Sequence, residues 1–343
     1  MTKKEPRLIN AAIVGLGRIA SLLEEDGLRE KPCTHAGAIT ANPECVLVSG
    51  CDTDVERRRL FSEKWRVPVY EDASEMLHIH KPGILVIATH PDSHFHYCAL
   101  AAKHKVPVII CEKPLADSAR EARKIARLAD GEKGGPVIII NHERRYSLDY
   151  IRAKEILDGE KLGALVSARA VLYMGKNRRL IDVFWHDGTH LADAVMFLTG
   201  LVLKHRKSWG VKLSSRNGTA WLEGTLVRGE NTQSGIIQPI PVIMEIGAGR
   251  DHLVFEIEFS CGNGRLRIGN GVFEVWESAP SPYAEKFCSL RKTNEAFTGP
   301  TGYFANMLQD AAACFREPGR LPRSSAKDGL RVIEYLNRVR PWR

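Results

Sequence analysis

The first half of the chain alternates short apolar runs with stretches of helical spacing, and that rhythm confines it to βαβ units stacked into a parallel sheet. The runs are Leu8 to Val14, Val46 to Cys51, Ile84 to Ala88, Val106 to Cys111 and Val137 to Asn141. Between the last two, Asp117 to Asp130 carries Ala119, Ala122, Ile125, Ala126 and Ala129 at helical spacing behind a Ser118-x-x-Glu121 capping box, which predicts a helix. The period then changes. Ala164, Val166, Ala168, Ala170 and Leu172 alternate as in a half-buried strand, and Leu253 to Glu277 holds three β-like runs. Asn263-Gly264 and Asn270-Gly271 separate these runs, so a meander with two tight turns is expected there. Two amphipathic helices, near Gly302 to Phe315 and Ser325 to Arg338, close the chain.

With 343 residues and roughly 150 per domain, the chain has room for about two domains. The change of period puts the boundary near residue 147, giving an N-terminal domain of residues 1–147 and a C-terminal one of 148–343. The fold class is therefore α/β: a doubly wound parallel sheet of Rossmann type, followed by an α/β domain on an open, mainly antiparallel sheet. A content of 44% hydrophobic and 26% charged residues supports a sizeable core and excludes disorder, collagen-like repeats and a disulfide miniprotein.

The formal charge of +8 favours anionic ligands. Basic residues are dispersed, however, and clusters such as Arg57-Arg58-Arg59 and Arg144-Arg145 lack the interleaved aromatics of a single-strand groove, so nucleic acid is not an expected partner. The eight cysteines form no C-x-x-C pair, and several lie in apolar runs, as buried thiols of a reducing compartment do. Thr2-Lys3-Lys4 before the first apolar run resembles a signal peptide, but Arg18 interrupts the run and no cleavage site follows. No run reaches the ~18 residues of a membrane span, so a cytoplasmic protein is expected.

Gly15-Leu16-Gly17-Arg18-Ile19-Ala20 follows the first strand and matches G-x-G-x-x-G/A, whose glycines let backbone approach a pyrophosphate at a helix N-terminus. Asp52, at the tip of the second run, has the chemistry to bind the adenosine ribose hydroxyls and to repel a 2′-phosphate, favouring NAD over NADP. Its distance departs from the pattern: 32 residues separate Ala20 from Asp52 where about 20 are usual, so Leu22 to Pro32 reads as an insertion. Arg57 to Arg59 would offset the preference for NAD, although a solvated helix face explains them too.

Thr89-His90-Pro91-Asp92-Ser93-His94, Cys111-Glu112-Lys113-Pro114, Arg144-Arg145-Tyr146 and Gly188-Thr189-His190-x-x-Asp193 follow in that order. With the glycine fingerprint, this succession resembles the Gfo/Idh/MocA family of glucose–fructose oxidoreductase and inositol dehydrogenase. The resemblance is strong to about residue 200 and is one of layout beyond. It implies transfer of a hydride between a nicotinamide cofactor and a hydroxyl-bearing carbon of a sugar or cyclitol. It further implies cofactor contacts from Gly15, Gly17, Arg18, Ile19, Asp52, Thr89, His90, Pro91, His94, Glu112, Lys113 and Arg144. Such a reaction needs a base for the hydroxyl proton and a cation for the developing oxyanion. His190 and Lys113 take those roles by resemblance, with Tyr146, His186 and Asp187 binding substrate.

Many family members carry aspartate four residues before the histidine; this chain has His186 there, with Asp187 one position late. Positions i and i+4 share a helix face, so either His186 or Asp187 is left to orient the hydroxyls. His186 and His190 at that spacing also suit zinc, but the glutamate that follows the first histidine of a metalloprotease helix is missing, and no metal is expected. His35, His78, His80, His104 and His205 stand in no pattern and read as ordinary surface or core histidines. A crevice between the domains is the expected site. The loops Met174 to Ile181 and Asn231 to Pro241 are expected to select the substrate, and a homodimer or homotetramer is expected to cover the open sheet. Rival readings are a nucleotide-sugar or sugar-phosphate dehydrogenase, and a non-catalytic NAD(P)-binding sensor of the same fold. Retention of both Lys113 and His190 speaks against the sensor.

Overall fold

A computed structural model of the chain describes residues 8–129, 134–159, 161–229 and 238–339. Asp130, Thr2 to Lys4 and residues 231–237 of the second expected substrate loop lie outside the described residues. The chain divides into two compact units, Met1–Ser147 with Pro300–Ile333 and Leu148–Gly299 with Glu334–Arg343.

In the first unit β1 (Ile9–Val14), α1 (His35–Ala41), β2 (Cys45–Cys51), α2 (Val55–Trp65), β3 (Val69–Tyr70), α3 (Ala73–His80), β4 (Ile84–Ile87), α4 (His94–Lys103), β5 (Val108–Cys111), α5 (Ala119–Ala129) and β6 (Val137–Ile140) follow one another. The six strands are parallel in the order β3-β2-β1-β4-β5-β6, the doubly wound order in which the connections reverse direction beside the first strand. All five expected strands are present to within a residue or two, and the two-residue β3 is an edge strand too short to leave an apolar run. Successive residues of β1 enter opposite cores: Ala11 and Ile13 pack with α1 and Phe61 of α2, while Ala12 and Val14 pack with Met76 and Leu77 of α3 and Ile125 of α5. A sheet covered on both faces reads as continuous apolar runs for this reason.

No α-helix opens at the glycine fingerprint. Ser21 donates to Gly17 O in one turn, a short 3-10 turn covers Leu22–Glu25, and α1 begins only at His35, capped by Thr34 Oγ1 accepting from Gly37 N. His35 N and Ala36 N nevertheless donate to the carbonyls of Ile19 and Ala20, the bonds residues 23 and 24 would make in an uninterrupted helix. The intervening loop thus absorbs twelve extra residues, and without them the interval from Ala20 to Asp52 falls from 32 to 20. Glu24 closes the loop by accepting from Cys33 N and Thr34 Oγ1.

The second unit holds α6 (Leu148–Asp158), β7 (Leu165–Tyr173), α7 (Leu180–His186), α8 (Gly188–Thr199), β8 (Val202–Gly210), β9 (Gly218–Val227), β10 (Ile240–Ala248), β11 (Val254–Cys261), β12 (Gly264–Gly269), β13 (Val272–Pro280) and β14 (Cys288–Lys292). Its eight-stranded sheet runs β14-β13-β12-β11-β7-β10-β9-β8, antiparallel except where β7 meets β10. The meander is β11 to β13. Its second turn is Asn270-Gly271, with Gly271 at φ +75°. The first turn is Gly262-Asn263 instead of the expected Asn263-Gly264, because Cys261 pairs with Gly264. Gly264 is glycine for a different reason: a Cβ there would stand 2.4 Å from Trp276 O.

From Pro300 the chain returns to the first unit, whereas the sequence pattern kept all of 148–343 in the second. Phe304, Met307, Leu308 and Ala311 of α9 (Tyr303–Arg316) enter the same core as Ile13, Val86 and Ile110, and Ala326 and Ile333 of α10 (Ala326–Val339) enter the opposite one. Apolar periodicity marks a buried helix face but does not say which core buries it. Met307→Ala should destabilise the first unit by about 2–4 kcal/mol. Hydrogen exchange should then show faster exchange in β4 and β5 with β11 and β12 unchanged, and the opposite pattern would refute this assignment of α9.

Candidate active site

In the first unit every site residue proposed from sequence up to Lys113 follows the carboxyl end of a strand, where an open α/β sheet presents backbone groups to a ligand. Gly15, just after β1, has φ +86°, and a Cβ on it would stand 2.6 Å from Ala88 O, so two independent constraints require glycine. Gly17 differs. A Cβ there would meet only Nη1 of Arg57 at 3.9 Å. Nothing in the protein demands glycine at 17, whereas a pyrophosphate drawn against this backbone would.

Asp52, 8% exposed, ties the glycine turn to β2: its Oδ2 accepts from Leu16 N at 2.8 Å and its Oδ1 from Asp54 N at 2.9 Å. Two accepted bonds leave lone pairs for ribose hydroxyls. Arg57 Nη1 lies 3.7 Å from Oδ2, and Arg58 Nη1 donates to the carbonyls of Asp52 and Thr53. Arg59 pairs with Glu56 and Glu63 on the outer helix face, so the three arginines do different things. Arg18 is exposed, and Ile19 packs against the core.

After β4, Ser93 Oγ donates to Thr89 Oγ1 at 2.7 Å, and His90 caps the short turn that begins at Pro91. His94 is fully buried, and its ring nitrogens reach the carbonyls of Leu115 and Thr89, each at 3.2 Å. It joins two loops and presents no surface to a cofactor, which corrects its expected direct contact. Burial also lowers its pKa, against the opposing pull of its backbone partners and Glu112. Glu112 and Lys113 follow β5. Glu112 Oε1 lies 2.7 Å from His35 Nε2 and accepts from Asn141 Nδ2 at 2.6 Å, while Oε2 accepts from Lys113 N at 3.3 Å. Burial alone would push this carboxyl up, but His35, Asn141 and Lys113 together hold it below the usual range.

The Arg144-Arg145-Tyr146 segment splits. Arg144 is half-buried, with Nη1 3.6 Å from Glu143. Arg145 donates to Arg323 O and pairs with Asp328, and Tyr146, completely buried, donates to Asp310 Oδ2 at 3.1 Å. Tyr146 is thus a core residue that fastens the returning segment, not the substrate contact expected of it. Burial and the neighbouring Asp310 carboxylate raise its phenol pKa well above the ordinary value.

In the second unit α7 ends at His186 and α8 starts at Gly188, so His186 and His190 do not share a helix. The i, i+4 argument fails at Asp187, which sits at the junction. Its Oδ2 pairs with Arg178 Nη1 at 2.7 Å, and its Oδ1 lies 3.2 Å from His186 Nδ1. The His186 side chain is 63% exposed. His190 is half-buried on the first turn of α8, its N–H bonded to Asp187 O, and Asp193 is buried on the next turn. Among the described residues no group of histidine, cysteine and carboxylate could hold a metal ion.

Residues 9–139 match the model of an oxidoreductase family described as having an NAD-binding Rossmann fold. Over this stretch the chain is similar to the Gfo/Idh/MocA oxidoreductases. An inositol 2-dehydrogenase of Rubrobacter xylanophilus is 32% identical over 127 residues, 37% of this chain and 36% of that protein. A D-glucoside 3-dehydrogenase of Escherichia coli is 26% identical over 208 residues, 56% of this chain and 54% of its own length. The chain thus spans about a third to a half of the curated relatives it matches. The solved oxidoreductase domain protein of Kribbella flavida superposes with a TM-score of 0.76 at 17% identity, covering 98% of this chain and 96% of that one, a likeness of fold.

The ends of β1, β2, β4 and β5 thus lie in one sheet of the first unit, and the residues they carry fit a dinucleotide by their chemistry: a backbone open to close approach at Gly17, a carboxylate at Asp52, and a polar turn at Glu112-Lys113. Two functional candidates were not singled out from the sequence, although Arg178 lies in the expected loop Met174 to Ile181. His35 stood apart from every motif because the twelve-residue loop hides its register, and Arg178 was one of many dispersed arginines. If the cradle reading holds, Gly15→Ala lowers stability by about 2 kcal/mol from backbone strain, whereas Gly17→Ala keeps the wild-type melting temperature and weakens NADH binding. Equal melting losses in both variants would contradict it.

Proposed function

We propose that this protein is an NAD-dependent dehydrogenase that moves a hydride between nicotinamide and a hydroxyl-bearing carbon of a sugar or cyclitol. The observation that carries the reading is the Glu112-Lys113 turn at the end of β5, in the same sheet whose β1 and β2 ends hold the Gly15–Asp52 pair. The names of the two curated relatives, an inositol and a glucoside dehydrogenase, support the substrate class. When bound, the nicotinamide supplies the two-electron acceptor or donor.

The remaining chemistry falls to side chains. Lys113 donates to the substrate oxygen and offsets its negative charge as the carbon–oxygen double bond forms. His190 takes the hydroxyl proton in oxidation and returns it in reduction. Asp187, fixed by Arg178, and the exposed His186 orient neighbouring hydroxyls. Asp52 selects NAD, since a carboxylate held by two backbone N–H groups cannot turn away from a 2′-phosphate. Eight free thiols, six of them buried, suit a reducing compartment such as the cytoplasm, and among the described residues no helix is long and apolar enough to cross a membrane. We place the contact between copies of a homodimer or homotetramer on the sheet face that carries Arg169, Ile243 and Glu245.

The test is NADH formation with a panel of cyclitols, free sugars, sugar phosphates and nucleotide sugars. Lys113→Ala and His190→Ala should each lower kcat by about 100-fold or more. Wild-type turnover in either variant would refute that residue's role. Asp52→Ala should lose most of the preference for NAD over NADP, and an unchanged cofactor ratio would remove Asp52 from recognition.

A further inference from the structure

His35 enters none of the motifs, yet it is the closest ionisable partner of the buried Glu112 carboxylate. Its ring is 2% exposed, its Nε2 stands 2.7 Å from Glu112 Oε1, and its edge meets the Phe304 ring with centroids 5.1 Å apart. Because Glu112 is held ionised and a carboxylate only accepts, Nε2 carries the proton and donates. The chain goes to some length to keep His35 there. After a loop of twelve extra residues it re-enters the interrupted helix at the carbonyls of Ile19 and Ala20, which returns His35 to the register it would have without the loop.

We propose that His35 is a positioning residue for the nicotinamide end of the nucleotide site: through Glu112 it fixes the turn that presents Lys113. The inference rests on the nucleotide-binding reading above. Two observations separate it from ordinary packing. A buried ion pair adds little net stability over an apolar replacement, so a carboxylate placed at a strand end and surrounded by donors calls for another reason. Further, Asn141 Oδ1, on the amide whose nitrogen serves Glu112, is a buried acceptor with no hydrogen-bond partner among the described residues. A cluster that holds a buried carboxylate in place while leaving one of its own acceptors unpaired is not arranged for stability alone.

The groups that face the Glu112 carboxyl are His35 from α1, His94 from α4, and Lys113 and Cys111 from its own strand end, with the Asn141 amide just after β6. Of these His35 contributes most to holding it ionised. Without His35, burial prevails, and Glu112 takes up a proton at higher pH than in the wild type.

The experiment is fluorescence titration of the full chain with NADH and with NADPH, from about pH 8 down to about pH 6, on wild type, His35→Ala and His35→Gln, beside their melting temperatures. In His35→Ala, affinity for the preferred nucleotide should fall about tenfold at the upper pH and further as the pH drops, while His35→Gln, which keeps a donor, recovers most of the loss at the upper pH. Should His35→Ala not fold, the comparison of His35→Gln with Asn141→Ala reads the same network, and both should weaken binding more at low pH. Wild-type affinity in these variants at every pH overturns the inference alone. So does a pH-independent loss that tracks melting temperature and that glutamine does not rescue. A wild type that binds neither nucleotide overturns the nucleotide reading, and this inference with it.

Discussion

Glu112 is a carboxylate at the end of a strand whose four residues are wholly buried, and the neighbouring strand ends of the first unit are organised around keeping it there. An ionised carboxyl is tolerated out of water only when its oxygens are paired. His35, Asn141 and the backbone of Lys113 meet that demand, and they come from three different stretches of chain. At the end of β2 Asp52 plays a similar part, accepting from Leu16 N of the glycine turn. A sheet with apolar side chains on both faces leaves its strand ends as the place where such groups can gather, and this is why residues distant in sequence collect there.

Motif and role do not coincide throughout. Tyr146 belongs to a segment that resembles a family signature, yet its ring is buried and its hydroxyl holds Asp310, while Arg145 holds Arg323 and Asp328. Together they fasten residues 300–333 to the first unit. His94 likewise spans two loops from within the protein. In each case a polar residue of a motif holds another stretch of the chain rather than facing outward, and sequence pattern has no means of separating the two because both use the same residue types.

Much of the fold was legible. Runs such as Ile84 to Ile87 and Val108 to Cys111 are strands because β-branched residues without a polar face fit only a doubly covered sheet, and their order along the chain implied the parallel winding. The fingerprint was legible because a glycine with φ +86° in contact with Ala88 O tolerates no other residue. The catalytic candidates Lys113 and His190 were legible by resemblance. The partners of His35 and Arg178 were not, since a hydrogen bond across 77 residues, or an ion pair that spans the whole of α7, leaves no local period.

The sequence by itself determined the class of each element and the chemistry gathered at the first unit's strand ends, because hydrophobic period and turn chemistry act over a few neighbouring residues. Tertiary structure alone decided which core receives α9, that Gly264 opens a strand where a turn was expected, that His186 and His190 sit on separate helices, and that a loop of twelve residues leaves the register between the glycine turn and α1 unbroken. Those outcomes depend on which surfaces meet across long separations in the chain. Such meetings are settled by the packing of whole elements, and no short window of residues contains them.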